Sequence, residues 1–188
     1  MDPSTILYSR PTLCEPTPEV DSSVTVTRGP SLREDGWRQI EFVAPQNRDY
    51  IKDELVRAKT FCDAHRKRAG WSDIYLRREH PTPLVQVGLM YDDLSKPLEF
   101  GLSLGQAPVI GGFSLCATID DWFLYGVRDA EDRVVHLGLG PTEDTPSADF
   151  IHALMDIARE GNVLLVDWYN FELVNTSSVK SVIAWLNG

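Results

Sequence analysis

Cys62 and His65 stand three residues apart. On a helix that spacing sets a thiolate beside an imidazole, or two metal ligands on one face. No third or fourth ligand is apparent, and a buried free cysteine is also ordinary packing. Paired carboxylates occur at Asp92-Asp93, Asp120-Asp121 and Glu143-Asp144. Such pairs bind hard cations or divide acid and base work between them. Each stands where a strand is expected to give way to a loop, a position where acids also serve as solvated turn residues. None has the spacing of a calcium loop. Gly138-Leu139-Gly140 runs into Pro-Thr-Glu and so departs from the dinucleotide fingerprint, and there is no Walker A or HExxH sequence. Gly111-Gly112-Phe113-Ser114-Leu115-Cys116 lacks the frame of a nucleophile elbow. His136 is followed two residues later by Gly138, where a two-histidine phosphoesterase needs Ser or Thr, and no second copy of the motif exists. His80 and His152 have no evident partner in the sequence.

Acid beside aromatic is the pattern that remains. Asp120-Asp121-Trp122-Phe123-Leu124-Tyr125 leads into Asp129, Glu131 and Asp132, and Asp167-Trp168-Tyr169-Asn170-Phe171-Glu172 repeats the mixture. At protein interfaces aromatics act as anchors and carboxylates steer a basic partner inward. The competing role for Trp122 and Trp168 is that of core residues with polar ends. The contact residues expected on this basis are Asp120, Asp121, Trp122, Tyr125, Asp129, Glu131 and Asp132, then Asp167 and Tyr169.

Charge points the same way. The 188 residues carry 28 acids and 18 bases, net −10. Residues 1–90 hold 13 of each, so the imbalance belongs to residues 91–188, with 15 acids against Lys96, Arg128, Arg133, Arg159 and Lys180. Nucleic acid and anionic membranes call for the opposite sign. No run reaches the roughly 18 apolar residues of a membrane span. The three cysteines form neither a disulfide framework nor a CxxC site, and residues 1–5 show no secretory signal, so a reducing cytoplasm is the expected compartment.

The elements that must position these residues follow from periodicity. Residues 1–35 are proline-rich and are expected to form an extended arm, with an edge strand. Residues 36–188 read as one domain. Trp37–Val43 is a strand. Ile51, Leu55, Ala58, Cys62 and His65 mark a helix from Asp49 to about Arg68, with Arg66–Arg68 favouring its C-terminus. Strands are expected at Ile74–Arg77, Leu84–Met90, Leu98–Leu104 and Phe113–Ile119, and as a hairpin Trp122–Val127 and Arg133–Leu139. A helix capped at Thr145 and closed by Gly161 precedes the strand Val163–Trp168, which Phe171–Val174 continues after a break. Thr176 or Ser177 caps a last helix. The fold class is α+β: a mostly antiparallel sheet of five to seven strands with about three flanking helices.

The run Gly36-Trp37-Arg38-Gln39-Ile40-Glu41-Phe42, the helix after it and Gly70-Trp71-Ser72-Asp73-Ile74-Tyr75-Leu76-Arg77 resemble small cytoplasmic proteins found beside bacterial polymorphic toxins. The ending Val163-Leu164-Leu165-Val166-Asp167-Trp168 plus a short helix is similar too. Those are immunity proteins, which bind and neutralise a toxin delivered by type VI or contact-dependent secretion. The resemblance covers residues 36–80 and 160–186 and transfers no residue roles. It implies a non-enzymatic, cofactor-free inhibitor whose partner is a toxin. Many such toxins act on nucleic acids or nucleotides and carry basic clefts that an acidic half can cover. The alternatives are a small hydrolase using paired carboxylates, with or without a metal, and a non-catalytic adaptor or scaffold subunit.

Overall fold

Hydrophobic alternation in the middle of the chain builds a sheet, and the 3.6-residue stripes around it build the layers that cover it. The computed structural model describes residues 7–15, 36–95, 109–116, 122–140 and 145–187. The elements are β1 (Thr12–Cys14), β2 (Ile40–Val43), α1 (Arg48–His65), β3 (Arg66–Lys67), β4 (Gly70–Trp71), β5 (Tyr75–Arg77), α2 (Tyr91–Ser95), β6 (Gly112–Cys116), β7 (Phe123–Arg128), β8 (Val134–Gly140), α3 (Ala148–Glu160), β9 (Leu164–Asp167), β10 (Glu172–Val174) and α4 (Val179–Leu186). Among the described residues, six strands form one antiparallel sheet in the order β10-β9-β2-β8-β7-β6. The fold is α+β, as the pattern of elements predicts.

Strand β2 lies in the middle of that sheet, and all four of its residues are buried. Ile40 and Phe42 face a core completed by α3 and α4, through Phe150, Leu154, Ile157 and Val182. Val43 points the other way, to Ile51 and Leu55 of α1 together with Val166 and Trp168. Farther along that second face, Cys14 of the arm packs with Trp37, Cys116, Phe123 and Tyr125. The sheet is therefore covered on both sides.

Helix α1 buries Ile51, Leu55, Ala58 and Cys62, the expected stripe. It stops at His65, short of Arg68. Arg66 and Lys67 leave the helix to pair with Trp71 and Gly70, so the basic run forms a small hairpin and does not sit on the helix end. Of the arm, residues 7–15 are described, and within them β1 pairs in parallel with β5, apart from the main sheet. Side-chain bonds help hold it: Cys62 Sγ donates to the Pro11 carbonyl at 3.2 Å, Gln39 Nε2 to the Thr12 carbonyl at 2.7 Å, and Thr12 Oγ1 to Gln39 Oε1 at 3.2 Å.

Leu84–Met90 is not a strand. Leu84–Val87 winds into a 3-10 turn that starts after Pro83 and closes at Gly88 in the left-handed region (φ 78°), and Met90 makes a lone bridge to Arg133. Pro81 and Pro83 remove donors that a ladder needs. Ser147, not Thr145, caps α3, its hydroxyl accepting the Phe150 N–H at 3.1 Å. Ser178 caps α4 in place of Thr176 or Ser177. Glu172–Val174 turns back beside β9 and does not prolong it, because the Asp167 carboxylate gathers the N–H groups of Tyr169 and Asn170 into a tight turn. The strand expected at Leu98–Leu104 and residues 117–119 of the one expected at Phe113–Ile119 fall outside the described residues, as do residues 16–35 of the arm. Among the described residues no helix is long and apolar enough to cross a membrane.

Candidate functional site

The β7–β8 hairpin forms where it was expected, and its turn organises acids. Asp129 Oδ1 accepts the N–H groups of Glu131 and Arg133, both at 3.0 Å. Arg133 in turn reaches the carboxylates of Asp129 and Glu131 at 2.7 and 3.0 Å, and Arg128 pairs with Asp132 at 2.9 Å. Desolvation pushes the Asp129 carboxyl up, but hydrogen bonds from Arg133 outweigh it and hold the group below its ordinary value.

The turn docks on the start of α2, where the Tyr91 N–H donates to the Asp132 carbonyl and the Val134 N–H to the Leu89 carbonyl. This brings the exposed Asp92 and Asp93 alongside. Across a cleft of about 260 Å³, Asp93 meets Asp156 and Glu160 on the last turn of α3. Three elements separated in sequence thus place Asp92, Asp93, Asp129, Glu131, Asp132, Asp156 and Glu160 at one end of the sheet. Arg128, Arg133 and Arg159 only partly offset them.

The other residues expected at the contact surface lie elsewhere. Phe123 pairs with Gly140 at one end of the hairpin and Arg128 with Val134 at the other. At roughly 3.4 Å per residue, strand β7 therefore separates Trp122 from Asp129 by about 24 Å. Trp122 is half-buried and packs edge-on against Trp185, ring centroids 6.0 Å apart. Tyr125 is 1% exposed, and its hydroxyl donates to the Gly36 carbonyl and accepts the Arg38 N–H. Asp167, also 1% exposed, accepts from Tyr169, Asn170 and Trp185 Nε1. Burial removes Tyr125 and Asp167 from any contact surface; both hold the fold. Tyr169 is exposed but lies beneath Arg10, away from the acidic end. Asp120 and Asp121 fall outside the described residues, as does the Glu143-Asp144 pair.

Sequence reasoning missed an ion cluster buried at the centre of the molecule. Glu41 on β2 receives Arg38 Nε, Arg77 Nη1 at 2.9 Å, His80 Nε2 at 3.0 Å and Trp168 Nε1 at 2.7 Å. Burial pushes the Glu41 carboxyl up; Arg38, His80 and Arg77 more than offset that and hold it well below the usual carboxylate range. Arg77 stacks over Trp168 at 4.5 Å and donates to the Arg38 carbonyl at 2.8 Å. Arg38 has φ 55°, unusual for a residue with a side chain. Its N–H, carbonyl and guanidinium all have partners, and these hold the conformation. Among the described residues, Arg77 Nε and His80 Nδ1 are buried with no hydrogen-bond partner. The available signal was a glutamate inside Ile-Glu-Phe-Val, but alternation assigns it equally well to a wet face.

The remaining chemical candidates are occupied structurally. Cys62 bonds the arm, while His65 Nδ1 lies 2.7 Å from the Phe61 carbonyl of its own helix, so the two are not paired with each other. Burial raises the Cys62 thiol to about 11, away from thiolate chemistry. His136 is pushed below its ordinary value, chiefly by burial and then by Arg38. Gly138 and Gly140 serve packing, since a Cβ at either position would sit within 2.3 Å of the Tyr125 or Phe123 ring. A larger hollow of about 570 Å³ between α3 and the β10–α4 connection has no carboxylate, histidine or cysteine among the described residues that line it. Among the described residues, no three His, Cys, Asp or Glu side chains converge as metal ligands do. No protein-family model, curated protein or solved structure matches this chain.

Proposed function

We propose that this protein is an immunity protein: a non-catalytic, cytoplasmic inhibitor that captures a basic toxin at the acidic end of its sheet. One observation carries the proposal, the convergence of Asp92–Asp93, Asp129–Asp132 and Asp156–Glu160 from three elements onto one end. Carboxylates gathered this way focus a negative field and raise the encounter rate with a positive surface. Their preorganisation supports the same role, because Asp129 fixes the turn through two backbone bonds and binding need not order it. The titratable groups inside the fold fit a scaffold for that surface: Glu41, Arg38, Arg77 and Asp167 are each spent on internal bonds.

The test is co-expression with the product of the gene beside this one, which the proposal requires to be a toxin. Formation of a complex together with restored growth supports the proposal. Failure of both overturns it.

A further inference from the structure

The acidic end is matched by a cationic patch near the other end of the strands. The guanidinium of Arg66 lies 4.4 Å above the Trp71 ring, Trp71 meets Tyr169 edge-on at 6.1 Å, and the guanidinium of Arg10 lies 5.6 Å over Tyr169. The result is a ladder of guanidinium, indole, phenol and guanidinium built from three separate stretches of chain. The Tyr8–Trp71 bridge ties the first two stretches together, with bonds of 2.9 and 3.1 Å in both directions. Tyr169 stands just past the end of β9, where Asp167 pairs with Ile40; the acidic turn lies beyond the opposite end of β8.

Three properties make this a docking surface. First, its cations are uncompensated: among the described residues, Arg10, Arg66, Lys67 and Arg68 hold no carboxylate within ion-pair distance. Arg57, Lys59, Arg128, Arg133 and Arg159 each have at least one. Second, each guanidinium carbon lies over a ring, Arg66 is exposed and Arg10 half-buried, and a guanidinium held against a ring keeps the planar fork of donors that grips a carboxylate in a bidentate pair. Third, apolar area is exposed beside the charges, with Tyr8 and Tyr169 about two-fifths accessible. A patch that mixes open aromatics with arginine has the composition of an interface core.

We propose that this ladder is a second binding surface, and that its occupant is an acidic protein segment. Nucleic acid fits less well. Trp71 is 4% exposed with Arg66 across its face, so it offers a base no open ring to stack on. A long polyanion would also extend past the patch into the field of a chain with net charge −10. A short run of Asp and Glu side chains needs only the guanidinium edges.

The experiment titrates the full chain with a deca-glutamate peptide and, separately, with a ten-residue oligothymidylate, by calorimetry at low salt. Saturable binding of the peptide is expected. Raising salt from about 50 to about 300 mM should weaken it severalfold. The Arg10→Ala/Arg66→Ala variant should weaken it about tenfold, and Lys180→Ala on α4 should leave it unchanged. Arg10→Lys/Arg66→Lys keeps the charge but loses the bidentate fork, so it should fall between the two; it also serves if the alanine variant fails to fold. Absence of peptide binding overturns the proposal, as does binding indifferent to both double variants. Tighter binding of the oligothymidylate overturns it in favour of nucleic acid. Neither probe engages the acidic end, so this outcome is separable from the fate of the immunity proposal.

Discussion

Glu41 is the buried carboxylate set against two buried guanidiniums, Arg38 and Arg77, with the His80 and Trp168 rings sharing one of its oxygens, while Arg38 also reaches the more exposed Glu79 at 2.7 Å. Removing one member of a buried ion group leaves uncompensated charge and costs about 3–5 kcal/mol. Glu41→Gln should therefore lower the free energy of unfolding in urea by that amount, whereas Glu160→Gln on the surface should stay within about 0.5 kcal/mol. The pH dependence has a definite sign. The folded Glu41 carboxyl titrates well below its unfolded value, so the unfolded chain takes up the proton first. The stability it contributes is present above the ordinary glutamate pKa of about 4.3 and is lost as pH falls through the lower folded value. Acid unfolding of the native chain should steepen below about pH 5. In Glu41→Gln that part of the slope should disappear; an unchanged slope would show that other carboxylates control it.

At the level of elements, the legible parts are those with a long run of one period. Helix α1 shows its buried face at Ile51, Leu55, Ala58 and Cys62, and β7 and β8 bracket a turn of acids, so both were evident in the sequence. Short apolar runs were ambiguous: Leu84–Val87 has strand-like residues, and the two prolines before it decided for a 3-10 turn. Cap positions slipped by one or two residues because Thr145, Ser147, Thr176, Ser177 and Ser178 all offer hydroxyls, and the entry path of the chain selects among them. Ser147→Ala should cost about 1 kcal/mol in thermal or chemical unfolding. Gly138→Ala should cost more, about 1–3 kcal/mol, since its Cβ would displace the Tyr125 ring and with it the hydroxyl that meets the Arg38 N–H. A change under about 0.5 kcal/mol would mean that the ring moves aside freely.

For the molecule as a whole, the sequence revealed the sign and the half of the chain in which charge gathers, and not its place in space. Asp120–Tyr125 and Asp129–Asp132 are neighbours in sequence, yet the β7 strand carries the described part of the first run, Trp122–Tyr125, away from the acidic turn. Asp92, Asp93, Asp156 and Glu160 come from distant segments to take that place. The buried cluster was illegible for a related reason. Whether Glu41 faces water depends on the arm and α1 covering the second face of the sheet, a long-range event that local pattern does not encode. Charge complementarity at the acidic end should act mainly on association rate and its salt dependence, with a smaller effect on dissociation.

The proposal that this chain captures a basic toxin at its acidic end is tested most directly by the association rate with such a toxin, sought in the gene beside this one, measured by stopped flow across a range of salt concentrations. The native chain is expected to associate fast at low salt and to slow steeply as salt rises. Asp129→Lys/Glu131→Lys/Asp132→Lys should reduce the low-salt rate about tenfold or more and flatten its salt dependence. An association rate equal to that of the native chain, with the same salt slope, would contradict the claim that this end of the sheet captures the partner.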